Sequence, residues 1–357
     1  MPGRDDIGAT PEAVWIQERA IGDGRPVFIV AEAGVNHNGC EKTAVRLIDA
    51  AVDAGADAVK FQVFRASELV TAAAPTAAYQ KRGGGRSSQR AMLAELELSD
   101  DAFRRISEYC TNRGVVFLGT PFSPSDVERL VSFRAAAIKI ASTDLANGAL
   151  LDAACGTGSA LILSTGASTV DEIESAVGRV RGAGAPLILL HCVSCYPTPM
   201  ESINLRAIGE LARGFCVPCG LSDHTLSTET GGWAVAVGAV VLEKHLTLDR
   251  AADGPDHAMS LDPAGFSEYV SAVRRVEGAL GSGRLGMIEP EADVRRVARR
   301  SVVAARRIAS GLRLTAEMLT LKRPGDGIPP DKLDALVGRT AVVDIAGDTL
   351  LSWDMVE

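Results

Sequence analysis

The sequence predicts an α/β protein, a (β/α)8 TIM barrel followed by a small β-rich domain. Eight short, nearly continuous apolar segments recur over about 250 residues, the usual length of such a barrel. Amphipathic helical patterns separate them, and continuous apolar strands are typical of a parallel sheet covered on both faces. An open doubly wound sheet is the alternative, but no GxGxxG turn follows the first predicted strand. The chain of 357 residues leaves room for one further module.

The predicted strands and helices alternate in a regular order. The segments between strands place apolar residues at i, i+3 and i+4 and end in glycine-containing stops, as in residues 41–57 and 169–185. Each strand is therefore followed by a helix, the repeating unit of the barrel. The strands are predicted over residues 28–33, 58–63, 115–120, 137–142, 160–165, 187–192, 217–224 and 240–245.

A long insertion interrupts this period between the second and third strands. It spans about fifty residues, longer than most connections in a compact domain, and contains a Gly/Ser/Arg-rich stretch at residues 79–90. A loop of this length is more often an active-site lid than a spacer, so we predict a lid. A simple surface insertion is the alternative.

The C-terminal part of the chain departs from the barrel pattern. We predict a barrel domain over residues 1–285, a polar linker over 286–298 and a small domain over 299–357. The last segment contains short strand-like runs, a proline- and glycine-rich turn and one short helix. It is too short to be expected to pack well alone, so we expect it to dock onto another surface.

The composition excludes several classes of protein. A net charge of −8 and a pI near 5.3 argue against binding to nucleic acid or an anionic membrane surface, which requires a basic face. No apolar run is long enough to span a bilayer, and the N-terminal residues lack the apolar core of a signal peptide. We therefore expect a cytoplasmic protein without a nucleic-acid or membrane partner.

The seven cysteines include two CxxC pairs, at 192/195 and 216/219. This spacing formally matches a zinc ribbon. However, Cys192 ends a predicted strand, and Cys216 and Cys219 lie in or beside the next one, whereas ribbon ligands lie on tight turns. We therefore predict reduced thiols that act as small, buried apolar residues.

Lysine and histidine are rare, and their positions carry the strongest signal in the sequence. The active site of a barrel enzyme lies at the C-terminal ends of its strands. His37 and His257 lie in the predicted loops after the first and eighth strands. The residues at strand ends are Lys60, Lys139, Lys244, His191, His224 and His245. All five histidines therefore lie on one rim.

Two of these lysines predict an anion site. Lys60 and Lys139 would face a common axis, and lysine binds phosphate as a point charge. Hydroxyl groups lie at neighbouring strand ends: Thr120, Ser142 and Ser222. This set suits one small ligand that carries a phosphate and a carboxylate. The alternative is that one lysine forms an ion pair with Glu32 or Glu243 inside the barrel mouth.

Two histidines predict a metal site. His224 and His245 end neighbouring strands and could share one divalent ion, leaving positions open for water or substrate. Glu243 or Asp256 could complete the site or support it. For His191 we favour a hydrogen-bonded core residue. These residues leave Mn²⁺, Zn²⁺ and Fe²⁺ open, although no cysteine ends these two strands, which disfavours structural zinc.

Nine segments along the chain resemble the sialic acid synthases, in the same order. The tail segment LKRPGDGI, at 321–328, resembles the SAF (antifreeze-like) domain of that family. Because the segments run through nearly the whole chain, the resemblance is specific. The nine segments are residues 31–39, 53–62, 118–123, 138–145, 164–168, 191–199, 220–225, 243–250 and 254–257.

The resemblance implies a reaction and a set of roles. Phosphoenolpyruvate would condense with an N-acylated aminohexose such as N-acetylmannosamine, giving a nonulosonic (sialic) acid and phosphate. His224 and His245 would bind Mn²⁺, with Mg²⁺ or Co²⁺ as alternatives. The residues implied to hold phosphoenolpyruvate are Lys60, Thr120, Lys139, Ser142, Ser194 and Ser222. Those implied to line the sugar site are Glu32, Gln62, Phe122, Tyr196, Glu243 and Asp256.

The same resemblance implies a homodimer in which the SAF domain lies over the partner's barrel. Arg323, in the RPG turn, would then contact the N-acyl group of the sugar. Glu32 would assist the addition of water, beside Lys60, Lys139 and the two histidines as the catalytic set. The segment 82–92 departs from the family pattern, and its arginines could contact an acidic group of the acceptor or be solvated.

Several alternatives remain open from the sequence. The acceptor could instead be a 6-phosphate, or a 2,4-diacetamido-trideoxy hexose leading to legionaminic- or pseudaminic-type acids. A Schiff-base aldolase on the same fold could use Lys60, Lys139 or Lys244 as its nucleophile, without metal or phosphoenolpyruvate. A sugar- or ice-binding protein would leave the lysines and histidines of the rim unexplained.

Overall fold

A computed structural model describes residues 11–72, 74 and 88–357, and the description below covers these. The chain divides into two compact units, one ending at Gly281 and one comprising Ser282–Glu357. Most of the Gly/Ser/Arg-rich stretch predicted as a lid, including residues 79–87, lies outside the described residues.

The first unit is the predicted TIM barrel. Its eight parallel strands close in the order β10-β3-β4-β5-β6-β7-β8-β9, which confirms the fold class and the position of every predicted strand. A short antiparallel hairpin, β1 (Val14–Ile16) and β2 (Arg19–Ile21), precedes the barrel. The barrel strands are β3 (Phe28–Gly34), β4 (Ala58–Val63), β5 (Val116–Pro121), β6 (Ala137–Ile140), β7 (Ala160–Ser164), β8 (Leu187–Cys192), β9 (Cys219–Asp223) and β10 (Val241–His245).

Helices follow the barrel strands, and local sequence sets their ends. Thr169 and Glu172 form a reciprocal capping box at the start of one helix. Another helix ends at Gly114, whose φ of +72° favours glycine. The helices are α1 (Glu41–Asp53), α2 (Ala66–Leu69), α3 (Gln89–Glu95), α4 (Asp100–Arg113), α5 (Pro124–Ser132), α6 (Gly148–Cys155), α7 (Val170–Gly182), α8 (Arg206–Phe215), α9 (Thr230–Ala236) and α10 (Pro263–Leu280).

The interior of the barrel changes from apolar to polar along each strand. Near the N-terminal ends, Phe28, Val30 and Ala58 belong to an apolar cluster that the β1–β2 hairpin joins. Side chains of a strand alternate between its two faces, so the inward face continues from Val30 to Glu32 and from Ala58 to Lys60. The strands therefore place charged side chains inside the C-terminal mouth, above an apolar floor.

The second unit has a hydrophobic core of its own. We expected this segment to be too short to pack well alone, yet Val302, Ile328 and Leu351 are buried in one cluster within it. Isolated bridges and backbone hydrogen bonds hold its irregular chain around this core. Its regular elements are α11 (Ala292–Ala298), β11 (Ser301–Ala304), β12 (Leu319–Lys322) and α12 (Leu333–Leu336). The segment predicted as a polar linker contains α11.

The prediction that the CxxC cysteines are buried is wrong for two of the four. Cys192 and Cys219 lie on β8 and β9 and are buried, whereas Cys195 and Cys216 are exposed. Cys195 lies in the loop after β8, and Cys216 ends α8 with a left-handed φ of 46°. All seven thiols are free, as expected.

Among the described residues, no helix combines the length and the apolar character needed to cross a bilayer.

Candidate active site

A cavity of about 150 Å³ opens at the C-terminal end of the barrel. It lies where the strand ends predicted the site, and side chains from all eight strands or their following loops surround it. The predicted site residues that line it are Glu32, Lys60, Gln62, Thr120, Phe122, Lys139, Ser142, Tyr196, Ser222, His224, Glu243, His245 and Asp256.

Lys60 lies between two carboxylates. Its Nζ is 2.7 Å from Glu32 Oε2 and 3.6 Å from Glu243 Oε2, and it donates a hydrogen bond of 2.9 Å to Thr120 Oγ1. Burial disfavours the charge, but Glu243 and Glu32 outweigh burial and raise the pKa of Lys60. The ion pair that we considered as the alternative for these lysines is therefore present at Lys60.

Lys139 has a different environment. Its Nζ donates to Ser164 Oγ at 2.6 Å and to the Ile140 carbonyl at 3.0 Å. No carboxylate of the described residues lies within ion-pair distance of it, and burial lowers its pKa. A buried ammonium without an ion pair is suited to bind an anionic group of a ligand.

The carboxylates of the cavity differ in proton affinity. Burial raises the pKa of Glu32 to about 7 and that of Asp256 to about 6. Burial also acts on Glu243, but Lys139, Lys60 and a hydrogen bond of 2.8 Å from Ser222 Oγ outweigh it and hold its pKa at about 2. Because Glu32 and Glu243 both interact with Lys60, they titrate as one system. Among these three carboxyl groups, Glu32 has the pKa closest to neutral pH.

The two histidines predicted as metal ligands are neighbours. The ring centroids of His224 and His245 are 5.5 Å apart, and the Tyr196 ring lies 4.3 Å from that of His224. His224 Nδ1 is 2.9 Å from the Val193 carbonyl, which accepts a hydrogen bond, and Nε2 lies 3.4 Å from Ser222 Oγ. Burial lowers the pKa of His245 well below its usual range, so this imidazole is neutral.

These two imidazoles fit an ion with open coordination positions. His245 Nδ1 is buried and has no hydrogen-bond partner, and a backbone carbonyl orients His224, as is usual for metal-ligating histidines. Within the described part of the chain, no group of three or more His, Cys, Asp or Glu side chains is arranged to hold a metal. Two imidazoles alone would leave the other positions of a bound ion to water or substrate.

Hydroxyl groups complete the predicted anion site with one exception. Thr120, Ser142 and Ser222 line the cavity. Ser194 does not line it, but its Oγ lies 2.9 Å from Ser142 Oγ and so holds that side chain in place. Arg323 lies in the second unit, where it is exposed.

The other three histidines of the rim do not line the cavity. His191 Nε2 forms a hydrogen bond of 2.7 Å with the Ile203 carbonyl, as expected for a core histidine. His257 Nδ1 lies 2.6 Å from Thr247 Oγ1, and His37 Nδ1 accepts a hydrogen bond from a backbone amide. The five histidines of the rim are therefore two that line the cavity and three that hydrogen-bond outside it.

Lys244 is at a strand end but points away from the cavity. It is buried on the outer face of β10, where its Nζ lies 2.9 Å from Asp223 Oδ2. The alternation of side chains along the strand explains this, since Glu243 and His245 occupy the inward face. Only two of the three strand-end lysines thus line the cavity, and Lys244 is removed from the candidates for a Schiff base.

Sequence reasoning missed several lining residues. Cys192 follows Leu190 on an inward face, so the two-residue period could have identified it. Ser164 also lines the cavity, as its position at the end of the fifth predicted strand indicates. Leu93 lies on α3, within the irregular insertion, where no periodic signal connects it with a strand end. The remaining unpredicted lining residues are Val35, Ala141, Thr143, Pro255 and Met259.

Comparison with known proteins agrees with the motifs. The chain matches the NeuB family over residues 47–285 and the SAF domain over residues 299–357. It is 38% identical to the N,N'-diacetyllegionaminic acid synthase of Legionella pneumophila (94% of this chain, 96% of that protein) and 32% identical to the N-acetylneuraminate-9-phosphate synthase of Homo sapiens (95% of each). The N-acetylneuraminic acid (sialic acid) synthetase of Leptospira borgpetersenii, a crystal structure, matches with a TM-score of 0.72 and 35% identity over 80% of this chain and 95% of that one. The chain therefore belongs to the NeuB family, the sialic acid synthases that its motifs resemble, and carries a C-terminal SAF domain.

Proposed function

We propose that the protein condenses phosphoenolpyruvate with an N-acylated aminohexose, giving a nonulosonic acid and inorganic phosphate. The observation that carries this proposal is the juxtaposition, in one cavity, of a buried lysine without a carboxylate partner and two neighbouring imidazoles. Lys139 is suited to an anion, and His224 and His245 are suited to a divalent ion. The names of the relatives support a synthase of this class.

Lys60 and Lys139 would hold phosphoenolpyruvate. Their ammonium groups supply positive charge inside a low-dielectric cavity, where it acts more strongly than in water. The Lys60–Glu32 contact leaves Lys139 as the cation free to take the phosphate or carboxylate first. The hydroxyls that would add hydrogen bonds to the ligand are those of Thr120, Ser142 and Ser222.

His224 and His245 would hold the divalent ion, which we propose to be Mn²⁺, with Mg²⁺ or Co²⁺ as alternatives. Such an ion supplies a Lewis acid that polarises the aldehyde of the sugar. The carbonyl of Val193 fixes the ring of His224, and burial keeps His245 neutral and able to ligate.

The bond changes follow from the two substrates and one water. The π electrons of the C2–C3 double bond of phosphoenolpyruvate form a C–C bond to C1 of the open-chain sugar as the C1=O π bond opens, and the aldehyde oxygen becomes a hydroxyl. Water adds at the electron-deficient C2, and Glu32 accepts its proton, which balances the proton taken up by the aldehyde oxygen. The C2 hydroxyl then loses its remaining proton to phosphate as the bond between C2 and the phosphate oxygen breaks, so that the 2-keto group forms and inorganic phosphate leaves with the bonding electrons. A pKa of about 7 matches Glu32 to this role near neutral pH.

The acceptor would lie beside the remaining polar residues of the cavity. Its reacting C1 must lie near His224 and His245, and its hydroxyl and amide groups can hydrogen-bond with the polar side chains around them. The residues proposed for this site are Glu32, Gln62, Phe122, Tyr196, Glu243 and Asp256.

One observation favours an acceptor that lacks a polar group at its far end. Val35, Leu93 and Phe122 line the cavity and pack in one hydrophobic cluster. Leu93 and Phe122 come from the connections around β4 and β5, away from the imidazoles on β9 and β10, so they suit the end of the sugar far from C1. Of the described lining residues, only two are Lys or Arg, and both are assigned to phosphoenolpyruvate. A 6-deoxy hexose therefore fits better than a 6-phosphate.

A panel of acceptors tests the proposed function. The purified full-length protein is incubated with phosphoenolpyruvate, Mn²⁺ and N-acetylmannosamine, its 6-phosphate or a 2,4-diacetamido-trideoxy hexose, and phosphate and product are measured. Phosphate release that requires both phosphoenolpyruvate and an acceptor supports the proposal. Covalent trapping of a substrate on Lys139 by borohydride, without phosphoenolpyruvate, would instead establish a Schiff-base aldolase.

We also propose that the active unit is a homodimer in which the SAF domain of one chain completes the site of the other. The second unit forms its own core, as a module that serves a neighbouring chain requires. Arg323 is exposed in that unit and is the residue proposed to contact the N-acyl group.

A further inference from the structure

The outer faces of β9 and β10 carry a buried ion pair directly behind the two imidazoles. Asp223 and Lys244 are register partners on these neighbouring strands, and each is only 1% exposed. Lys244 Nζ lies 2.9 Å from Asp223 Oδ2. Asp223 immediately precedes His224, and Lys244 immediately precedes His245, so the pair joins the backbones from which both imidazoles project.

The pair also holds the residue that follows His224. Lys244 Nζ donates to the Thr225 carbonyl at 2.6 Å and to Thr225 Oγ1 at 3.2 Å, while Asp223 Oδ1 accepts from the Thr225 amide at 2.8 Å. The hydroxyl of Thr230, on α9, donates to Asp223 Oδ2. His224 therefore lies between two residues whose positions the pair determines.

Stability alone is a weak reason for this arrangement. Replacing a buried ion pair by apolar residues of similar volume is often neutral or stabilising, because desolvation opposes the Coulomb attraction. The Tyr269 ring lies 5.2 Å from Lys244 Nζ, and both strands pack in the main hydrophobic core. A directional, multiply hydrogen-bonded pair instead fixes the spacing and register of the two strands.

We propose that Asp223 and Lys244 are positioning residues that set the separation of His224 and His245 for the divalent ion. This inference rests on the proposed function, because it assumes that the two imidazoles bind the ion. The pair acts through the backbone and does not itself contact the ion. Inside the barrel, the 2.8 Å hydrogen bond from Ser222 to Glu243 ties the same strands together, so the register is held on both faces.

Three variants of the full-length protein separate positioning from stability: Asp223→Asn, Lys244→Met and the double variant. Mn²⁺ affinity is measured by electron paramagnetic resonance of the free ion, and Tm is measured in the same samples, both without substrate. Each single variant leaves an unpaired buried group, so we expect a lower Tm and an Mn²⁺ affinity reduced by about 10- to 100-fold, as for other residues that support metal ligands. The double variant removes both charges, and we expect its Tm to recover while the affinity stays reduced by at least about 10-fold.

The matched control is Arg274→Met, which breaks an ion pair far from the imidazoles. Arg274 lies 2.8 Å from Asp57, the residue before β4, at the opposite end of the barrel. We expect a lower Tm and unchanged Mn²⁺ affinity. A double Asp223→Asn/Lys244→Met variant that binds Mn²⁺ as the wild type does would overturn the positioning role alone. A wild-type protein that binds no divalent ion would overturn the metal site and, with it, this inference.

Discussion

Lys60 and Glu32 form a buried ion pair of 2.7 Å at the centre of the barrel mouth, whereas Lys139, also in the cavity, has only hydroxyl and carbonyl partners among the described residues. The two lysines were indistinguishable in sequence, since both end a strand and face the axis. Their environments now predict different consequences for stability and for binding of phosphoenolpyruvate.

Lys60→Met should lower both stability and activity. Removing one partner of a buried pair leaves Glu32 and Glu243 without their counter-charge, which typically costs about 3–5 kcal/mol of folding free energy. Lys139→Met removes no ion pair and should leave the Tm unchanged or higher while it raises the KM for phosphoenolpyruvate at least about 10-fold. Thermal unfolding and steady-state kinetics of the two variants check this contrast. Equal losses of Tm in both would contradict it.

Glu32→Gln should change the pH dependence of the reaction. Because Glu32 must be ionised to accept a proton, kcat/KM should rise with pH through the pKa of about 7 and fall as the group becomes protonated below it. The glutamine variant should lose about 10²-fold or more in rate, and its kcat/KM should not show this rise with pH. A variant that is slower but whose kcat/KM still rises with pH in the same way would assign the proton transfer to another group. Asp256, whose pKa is about 6, is then the first candidate.

Leu93→Asn should weaken the preference for a 6-deoxy acceptor. A pocket that recognises one methyl-sized group discriminates by about 10- to 200-fold, so the polar side chain should reduce kcat/KM for the deoxy sugar by about 10-fold relative to N-acetylmannosamine. Leu96→Ala is the control, because Leu96 packs in the same cluster without lining the cavity. If both variants change the ratio of kcat/KM for the two acceptors equally, the apolar residues that line the cavity do not select the acceptor.

Mixing two inactive variants tests the swapped dimer. Arg323→Ala should remove the contact that the SAF domain makes with the N-acyl group. His245→Ala should remove a ligand of the divalent ion from the barrel. In a swapped heterodimer, one of the two sites combines an intact barrel with an intact SAF domain, so refolding the variants together should restore measurable activity. If each chain completes its own site, the mixture stays inactive.

Much of the fold could be predicted because its signals are local. A parallel strand covered on both faces is a continuous apolar run, and the glycine and capping residues mark the helix ends between these runs. The core of the second unit could not be predicted in this way. Residues such as Val302 and Leu351 come from irregular chain held by isolated bridges, which leave no period in the sequence.

The candidate site could be predicted to the level of strand ends, and side-chain direction decided the rest. Lys244 follows Glu243 by one residue and so faces away from the cavity, although it shares the strand end. Position at a strand end also could not distinguish His191 from His245. The Nε2 of His191 forms a hydrogen bond with a backbone carbonyl, whereas the Nδ1 of His245 has no hydrogen-bond partner. The pairing of Lys60 with Glu32 depends on contact between two strands and is invisible in either segment alone.

The role of the two imidazoles in the synthase reaction is tested by measuring inorganic phosphate release from phosphoenolpyruvate by the wild type and by a His224→Ala/His245→Ala variant, with and without divalent metal. We expect release that requires an N-acyl aminohexose, is abolished by chelation and restored by Mn²⁺, and is absent from the variant. Acceptor-dependent release that persists in the variant, or in the presence of chelator, would contradict this role.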